Sequence, residues 1–278
     1  MLRGRLIFSL FCAASVPRAV AFADEPKTVD EVIAKYIAAI GGQAKLDAMK
    51  TRRINGKMVM AGGAMEAPFI VEHKRPNRFR MDFTFQGMTG TQAYDGTTGW
   101  QLMPFMGKTD PEKMSEEDVK RIEDQIDPDG PLVDYKKKGH QVELMGKEEI
   151  EGAQTYKLKV TKKSGNTEYY FLDAEQFIPI KTKGKMMAQG TEVETEASLG
   201  DYKEVGGILM AHSITQSAGG MGGMEMTFAK IEVNVELPDS RFTMLEVKKE
   251  ESKEAKPDKK KPDDKKPEET KPDSKGGG

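Results

Sequence analysis

The chain has 278 residues, with 43 Lys and Arg against 45 Asp and Glu, a formal net charge of −2. That balance excludes the concentrated positive field on which nucleic-acid binding relies. Cysteine occurs once, as Cys12, so no disulfide framework is possible and the fold must rest on an ordinary hydrophobic core.

Residues 1–23 read as a cleavable secretory signal peptide. Arg3 and Arg5 make a basic start, 6–16 are apolar, and Ala21-Phe22-Ala23 supplies the small-x-small pattern for cleavage after Ala23. The apolar run is about 11 residues, whereas a spanning helix needs about 20. Arg18 also interrupts its extension. Phe11 precedes Cys12 where a lipidation signal would place a small residue. Processing would remove Arg3, Arg5, Arg18 and the single cysteine. It would leave 40 basic against 45 acidic side chains, a net charge of −5, and no thiol chemistry. The expected product is an exported, periplasmic protein without a membrane span.

The next segment, 24–247, is expected to fold as one domain. Thr28 and Glu31 form a capping box, and Val32, Ile33, Tyr36, Ile37 and Ile40 recur at helical spacing until Gly41-Gly42. A shorter helical piece follows, with Leu46 and Met49 facing inward. After Lys50 the period changes to two. Phe79, Met81, Phe83 and Phe85 alternate with Arg80, Asp82 and Thr84, the pattern of a strand with one apolar and one wet face. The stretch from Tyr94 to Trp100 reads as a hairpin around Asp95-Gly96. One helix interrupts, capped by Ser115 with Asp118, striped by Val119, Ile122 and Ile126, and ended by Asp127-Pro128-Asp129-Gly130-Pro131. Seven further strands are predicted at 141–145, 155–161, 167–172, 178–185, 191–202, 208–216 and 224–233, joined by Gly- and Asp-bearing turns. Strands in succession with short turns imply an antiparallel sheet, and about ten of them should curl rather than lie flat. The fold class is therefore mainly β: a curled antiparallel sheet forming an unclosed half-barrel. Residues 248–278, rich in Lys, Glu, Asp and Pro, lack the apolar surface to offset ordering entropy and are expected to be a disordered tail.

Catalytic patterns are missing. His73, His140 and His212 stand at no ligand spacing, and there is no Gly-x-Ser-x-Gly elbow and no phosphate loop. Asp95, Asp134, Asp173 and Asp201 fall at turns, where Asp is the ordinary residue. The sequence thus points to a non-enzyme with no cofactor. Methionine is frequent, 18 residues, and many lie on predicted strand faces. A flexible thioether suits a surface that accepts varied apolar partners. The cavity-lining candidates are Met58, Met60, Phe79, Met81, Phe83, Phe85, Trp100, Met103 and Phe105. A second reading concerns Met221, Met224 and Met226, three thioethers within six residues, a soft ligand set for monovalent copper. A third is a structural envelope or protein-interaction module with a filled core.

Several pieces occur in a characteristic order. They are Ala38-Ala39-Ile40-Gly41-Gly42, Lys74-Arg75-Pro76-Asn77-Arg78-Phe79-Arg80, Tyr94-Asp95-Gly96 before Gly99-Trp100, Tyr169-Tyr170-Phe171-Leu172-Asp173 with Pro179, and Asp201-Tyr202 before Gly206-Gly207. In this order the chain resembles the LolA/LolB-like periplasmic carriers of outer-membrane lipoprotein sorting. The resemblance implies helices packed over the concave face as a lid, and a cavity for lipid or lipoprotein acyl chains. It also implies an arginine on an early strand that holds the lid, for which Arg52 and Arg53 are the candidates. Envelope proteins are possible further partners. The tail lies outside the family pattern.

Overall fold

The computed structural model describes residues 25–60, 63–188, 191–219 and 221–245, with backbone alone at 121, 123–125, 186–188, 191 and 221–222. Backbone contacts separate Met1–Leu245 from Glu246–Gly278, and the second unit lies outside the described residues, as do the expected signal peptide and its expected cleavage site.

Helix α1 (Val29–Ala39) forms where the capping box predicts. The Thr28 hydroxyl accepts from the Glu31 N–H, and Glu31 Oε2 accepts from the Thr28 N–H. Its buried face is Val32, Ile33 and Tyr36. Gly41, at φ +120°, turns the chain into α2 (Gln43–Ala48), and a Cβ there would stand 2.3 Å from the Gly207 carbonyl oxygen. Leu46 and Met49 are buried as the sequence predicts. The third helix, α3 (Glu116–Ile126), is capped by Ser115 and buries Ile122 and Ile126.

Among the described residues, fifteen strands follow the two N-terminal helices. They are β1 (Thr51–Met60), β2 (Met65–Lys74), β3 (Arg78–Phe85), β4 (Met88–Tyr94), β5 (Gly99–Met103), β6 (Lys108–Lys113), β7 (Gln141–Ile150), β8 (Ala153–Thr161), β9 (Thr167–Asp173), β10 (Pro179–Ala188), β11 (Thr191–Gly200), β12 (Lys203–Val205), β13 (Ile208–Met210), β14 (Ser213–Ala218) and β15 (Met221–Val233). Thirteen form one antiparallel sheet in the order β6-β5-β4-β3-β2-β1-β15-β14-β11-β10-β9-β8-β7, and it does not close into a barrel. Two meanders, β1–β6 and β7–β11, are joined through β14 and β15, and the open edges are β6 and β7.

One strand expectation is corrected. The run 208–216 is two strands, β13 and β14, broken at Ala211-His212. The His212 N–H donates to the carbonyls of Gly200 and Asp201, which bends the chain away from a continuous ladder. β13 instead pairs with β12 in a separate hairpin. That hairpin packs on the helix corner, through Leu209 N–H to the Ile40 carbonyl and Lys45 Nζ to the Gly207 carbonyl.

The helices cover the concave face. α1 and α2 pack on β7–β9 through Val32, Ile33, Leu46, Leu158, Val160 and Leu172. α3 packs on β3, with Ile122 and Ile126 against Phe79. Between them lies a third apolar cluster of Ile54, Met58, Ala67, Phe69 and Ile231.

The predicted wet face of β3 is also corrected. Arg80 and Asp82 point away from the concave side, but their side chains are only 13% and 16% exposed. The segment after β15 crosses this face. Phe242 is fully buried, and its carbonyl accepts the Trp100 indole N–H at 2.7 Å. Arg241 and Arg53 hold the two oxygens of buried Glu72, each at 2.9 Å. Arg80 lies 5.6 Å from the Trp100 ring centre. A carboxylate this deep requires both cations, since an unpaired buried charge is strongly destabilising.

This strap should carry measurable stability. Phe242→Ala is expected to cost about 3–5 kcal/mol through the cavity it leaves, a fall in Tm on the order of 10 °C. A thermal melt of the full chain reads it. A shift smaller than about 2 °C would mean the segment is not part of the cooperative fold.

Candidate functional site

The pattern of strand registers decides what the concave face presents. Ile54 pairs with Ile231 across β1 and β15, Ile214 with Met226 across β14 and β15, and Leu199 with Ile214 across β11 and β14. Because side chains alternate along a strand, these apolar residues share one face. Above them pass α1, α2, the 127–131 segment and the β12–β13 hairpin. The elements do not meet: they leave a hollow of about 360 Å³, lined chiefly by Tyr36, Ile40, Leu46, Ile54, Ile208 and Ile231.

The hollow is apolar and almost uncharged. Burial pushes the Tyr36 phenol well above its usual range, reinforced by the negative charges of Asp129 and Asp127. Burial does the same for Tyr202, whose hydroxyl donates to the Pro179 carbonyl. Both stay neutral at physiological pH. The exceptions in the lining are Asp129, which pairs with Arg75, and Arg52. Burial lowers its guanidinium pKa to about 10, against the raising effect of Asp129 and Asp127, so it remains a cation.

A set of side chains ties the 127–131 segment down over this space. Arg52 Nη1 donates to the Pro128 carbonyl at 3.0 Å. Arg75 Nη2 donates to both oxygens of Asp129, at 2.8 and 2.7 Å. The same guanidinium donates to the carbonyls of Met49 and Leu46, so one arginine joins the segment to α2. Lys138 Nζ reaches Asp127 at 2.6 Å and the Gly130 carbonyl at 2.8 Å. A second, more polar recess of about 580 Å³ adjoins the first across Gly130, Pro131 and Tyr170, with Lys138, His140, Lys162 and Lys163 on its wall.

None of the nine residues expected to line a cavity lines this hollow. Met58, Met60, Met81 and Phe83 lie beside it on the β1–β3 wing, in the cluster that contains Ile54 and Ile231. Phe105 packs on Phe83 and Phe85, with ring centres 5.6 and 6.1 Å apart. Phe79 is under α3, and Met103 is buried near the β6 edge. Trp100 stands on the opposite face, since it pairs with Ala93 while Tyr94, the next residue, pairs with Phe79. Arg52 and Arg53 separate by the same alternation: Arg52 faces the hollow, and Arg53 faces Glu72. Met224 and Met226 face Met60 and Met58 across the strands within the apolar cluster, while the Met221 side chain lies outside the described residues.

The residues missed were Tyr36, Tyr202, Ile208, Arg75 and Asp129. Tyr36 was read on a helix, Tyr202 and Ile208 at the ends of predicted strands, and Arg75 and Asp129 in turns. Only Arg75 and the two aspartates in Pro-bearing turns offered a charge-complementary signal, between Arg75-Pro76 and Asp127-Pro128-Asp129.

Among the described residues no helix is long and apolar enough to cross a membrane. No protein-family model matches the chain, and no curated protein matches it. Solved structures do. A LolA superfamily protein from Nitrosomonas europaea aligns with TM-score 0.56 at 15% identity, over 78% of this chain and 98% of that one. A DUF1329 family protein from Desulfovibrio piger gives TM-score 0.57 at 13% identity, over 78% and 98%. An outer membrane lipoprotein-sorting protein domain from Vibrio parahaemolyticus gives 0.52 at 12%, over 76% and 94%. The architecture described above, an unclosed antiparallel half-barrel covered by helices, is the fold these LolA-like structures share.

Proposed function

We propose that this chain is an exported, non-catalytic carrier that holds an apolar ligand, lipid or lipoprotein acyl chains, between its curved sheet and the elements covering it. The observation that carries this reading is the apolar hollow of about 360 Å³, continuous through Ile54, Phe228 and Ile231 with the Met- and Phe-rich wing. A well-packed interior leaves few voids larger than a water molecule. A hollow of this size with an aliphatic lining therefore favours a ligand site over a structural module with a filled core. Each methylene moved from water into it would contribute about 0.8 kcal/mol. The thioethers of Met58, Met60, Met81 and Met226 supply adaptable contact for chains of differing length. The 127–131 segment acts as the lid, and Arg52 and Arg75 hold it.

Native mass spectrometry of the full chain, purified without detergent, tests the carrier role. The expected spectrum contains adducts of acyl-chain mass that disappear on organic extraction, and adding acyl ligands back raises Tm. Protein that is empty and indifferent to added acyl chains would overturn the reading.

The lid role has its own test. Asp129→Ala removes the bidentate partner of Arg75 and leaves the lid with fewer ties. Because a hydrogen bond to a charged group is worth about 1.5–3 kcal/mol, release of a fluorescent fatty acid to vesicles should quicken by about tenfold or more. An unchanged release rate would show that the segment does not gate the hollow.

A further inference from the structure

Arg52 poses a problem that the fold alone does not solve. It lines the hollow from β1. Its hydrogen-bond contacts are the Pro128 carbonyl, at 3.0 Å from Nη1, and His73 Nδ1, at 3.4 Å from Nη2. Neither is an anion. Arg53, Arg75, Arg78, Arg80 and Arg241 all pair with carboxylates, whereas Arg52 makes no ion pair among the described residues. The nearby carboxylates are committed elsewhere: Asp129 to Arg75 and Asp127 to Lys138. Arg52 Nε is sealed from solvent without a hydrogen-bond partner, the one such side-chain atom among the described residues.

A buried donor on a cation is costly when unpaired. The guanidinium has the geometry to use it once the side chains that seal Nε move aside. Nε and the adjacent Nη present two parallel N–H bonds, the planar edge that takes a carboxylate or phosphate in bidentate fashion. Apart from Asp129, which Arg75 holds, the hollow that Arg52 lines is aliphatic and aromatic, and its volume sits near the lower end of the roughly 300–1,000 Å³ typical of small-molecule sites.

Resting on the carrier reading, we infer that the hollow takes a single-chain amphiphile whose anionic oxygen head, a carboxylate or a phosphate, docks on the Arg52 guanidinium while its chain lies on Ile54, Phe228 and Ile231. The site is thus selective for acids and not a generic apolar void. Burial strengthens the pairing, since charges attract more strongly where water is excluded. In the adjoining recess Lys138 and Lys162 are balanced by Asp127 and Glu168, and Lys163 adds positive charge beside them.

The test compares three ligands of equal chain length on the delipidated full chain: palmitate, hexadecanol and palmitoyl lysophosphatidic acid. Titration calorimetry of the parent should show both acids binding about tenfold or more tightly than the alcohol, the size expected when a charge-assisted bond is gained. If palmitate alone shows the preference, the head is a carboxylate; if the lysophosphatidic acid alone does, it is a phosphate. Arg52→Met should bring the acids down to the level of the alcohol, and alcohol binding certifies that the hollow is still formed. Arg52→Lys, which keeps the charge but lacks Nε and the planar fork, should retain only part of the preference.

Equal binding of acids and alcohol by the parent overturns the inference and leaves the carrier reading standing. So does an acid preference that survives in both variants. Failure of all three ligands to bind the parent overturns both.

Discussion

Strand β1 lies beside β15, the first strand of the chain against the last, with Ile54 opposite Ile231 and Met58 opposite Met226. This ladder joins two meanders that otherwise have no strand in common. It also sets the curl. The register shifts between Asn55 and Gly56, where Ala229 of β15 is the extra residue of a bulge that bends the pair. Gly56 makes the bend possible, because a Cβ there would stand 2.5 Å from the Thr227 carbonyl oxygen and 2.7 Å from the Phe69 ring. The hollow sits on the concave side of this bend. Contacts so distant in sequence close large loops before they are rewarded, which makes a slow-folding topology.

The neighbouring arginines of β1 show how a single ladder serves both faces. Arg52 turns inward and holds the segment over the hollow. Arg53 turns outward and neutralises Glu72 together with Arg241. On the far wing the outer face is a lattice of Lys–Glu pairs, such as Lys157–Glu148 and Lys183–Glu196, drawn across the buried Phe171 ring. Charge is thus concentrated on the convex side, where water and opposite charges can satisfy it. On the concave side Arg52 sits in a largely apolar setting.

Local physics made much of this legible. Thr28 and Glu31 fixed the start of α1, Ser115 that of α3, and the alternation from Phe79 to Phe85 assigned the inner face of β3. Three misreadings share a cause. Trp100 was placed on the inner face because β5 is short and its parity depends on pairing with β4. The run from Ile208 to Gln216 hid a break, since the bend at His212 is made by carbonyls of residues far back in the chain. The hollow itself was displaced from the Met-rich wing, because its walls come from α1, β9 and the β12–β13 hairpin, whose meeting is a tertiary fact. Arg52 and Arg53 could not be told apart for the same reason: adjacent residues on a strand carry the same sequence signal and opposite roles.

The two free edges, β6 and β7, have a mechanical consequence. In a closed barrel the strand number and stagger set the radius. Here the seam is bridged by α3 and the segment after it, which are fastened by side-chain bonds from Arg52, Arg75 and Lys138 rather than by a backbone ladder. The sheet can therefore unroll without breaking a single strand-to-strand hydrogen bond. Its radius becomes a compliant quantity, set jointly by a few side chains and by the girth of whatever the protein encloses.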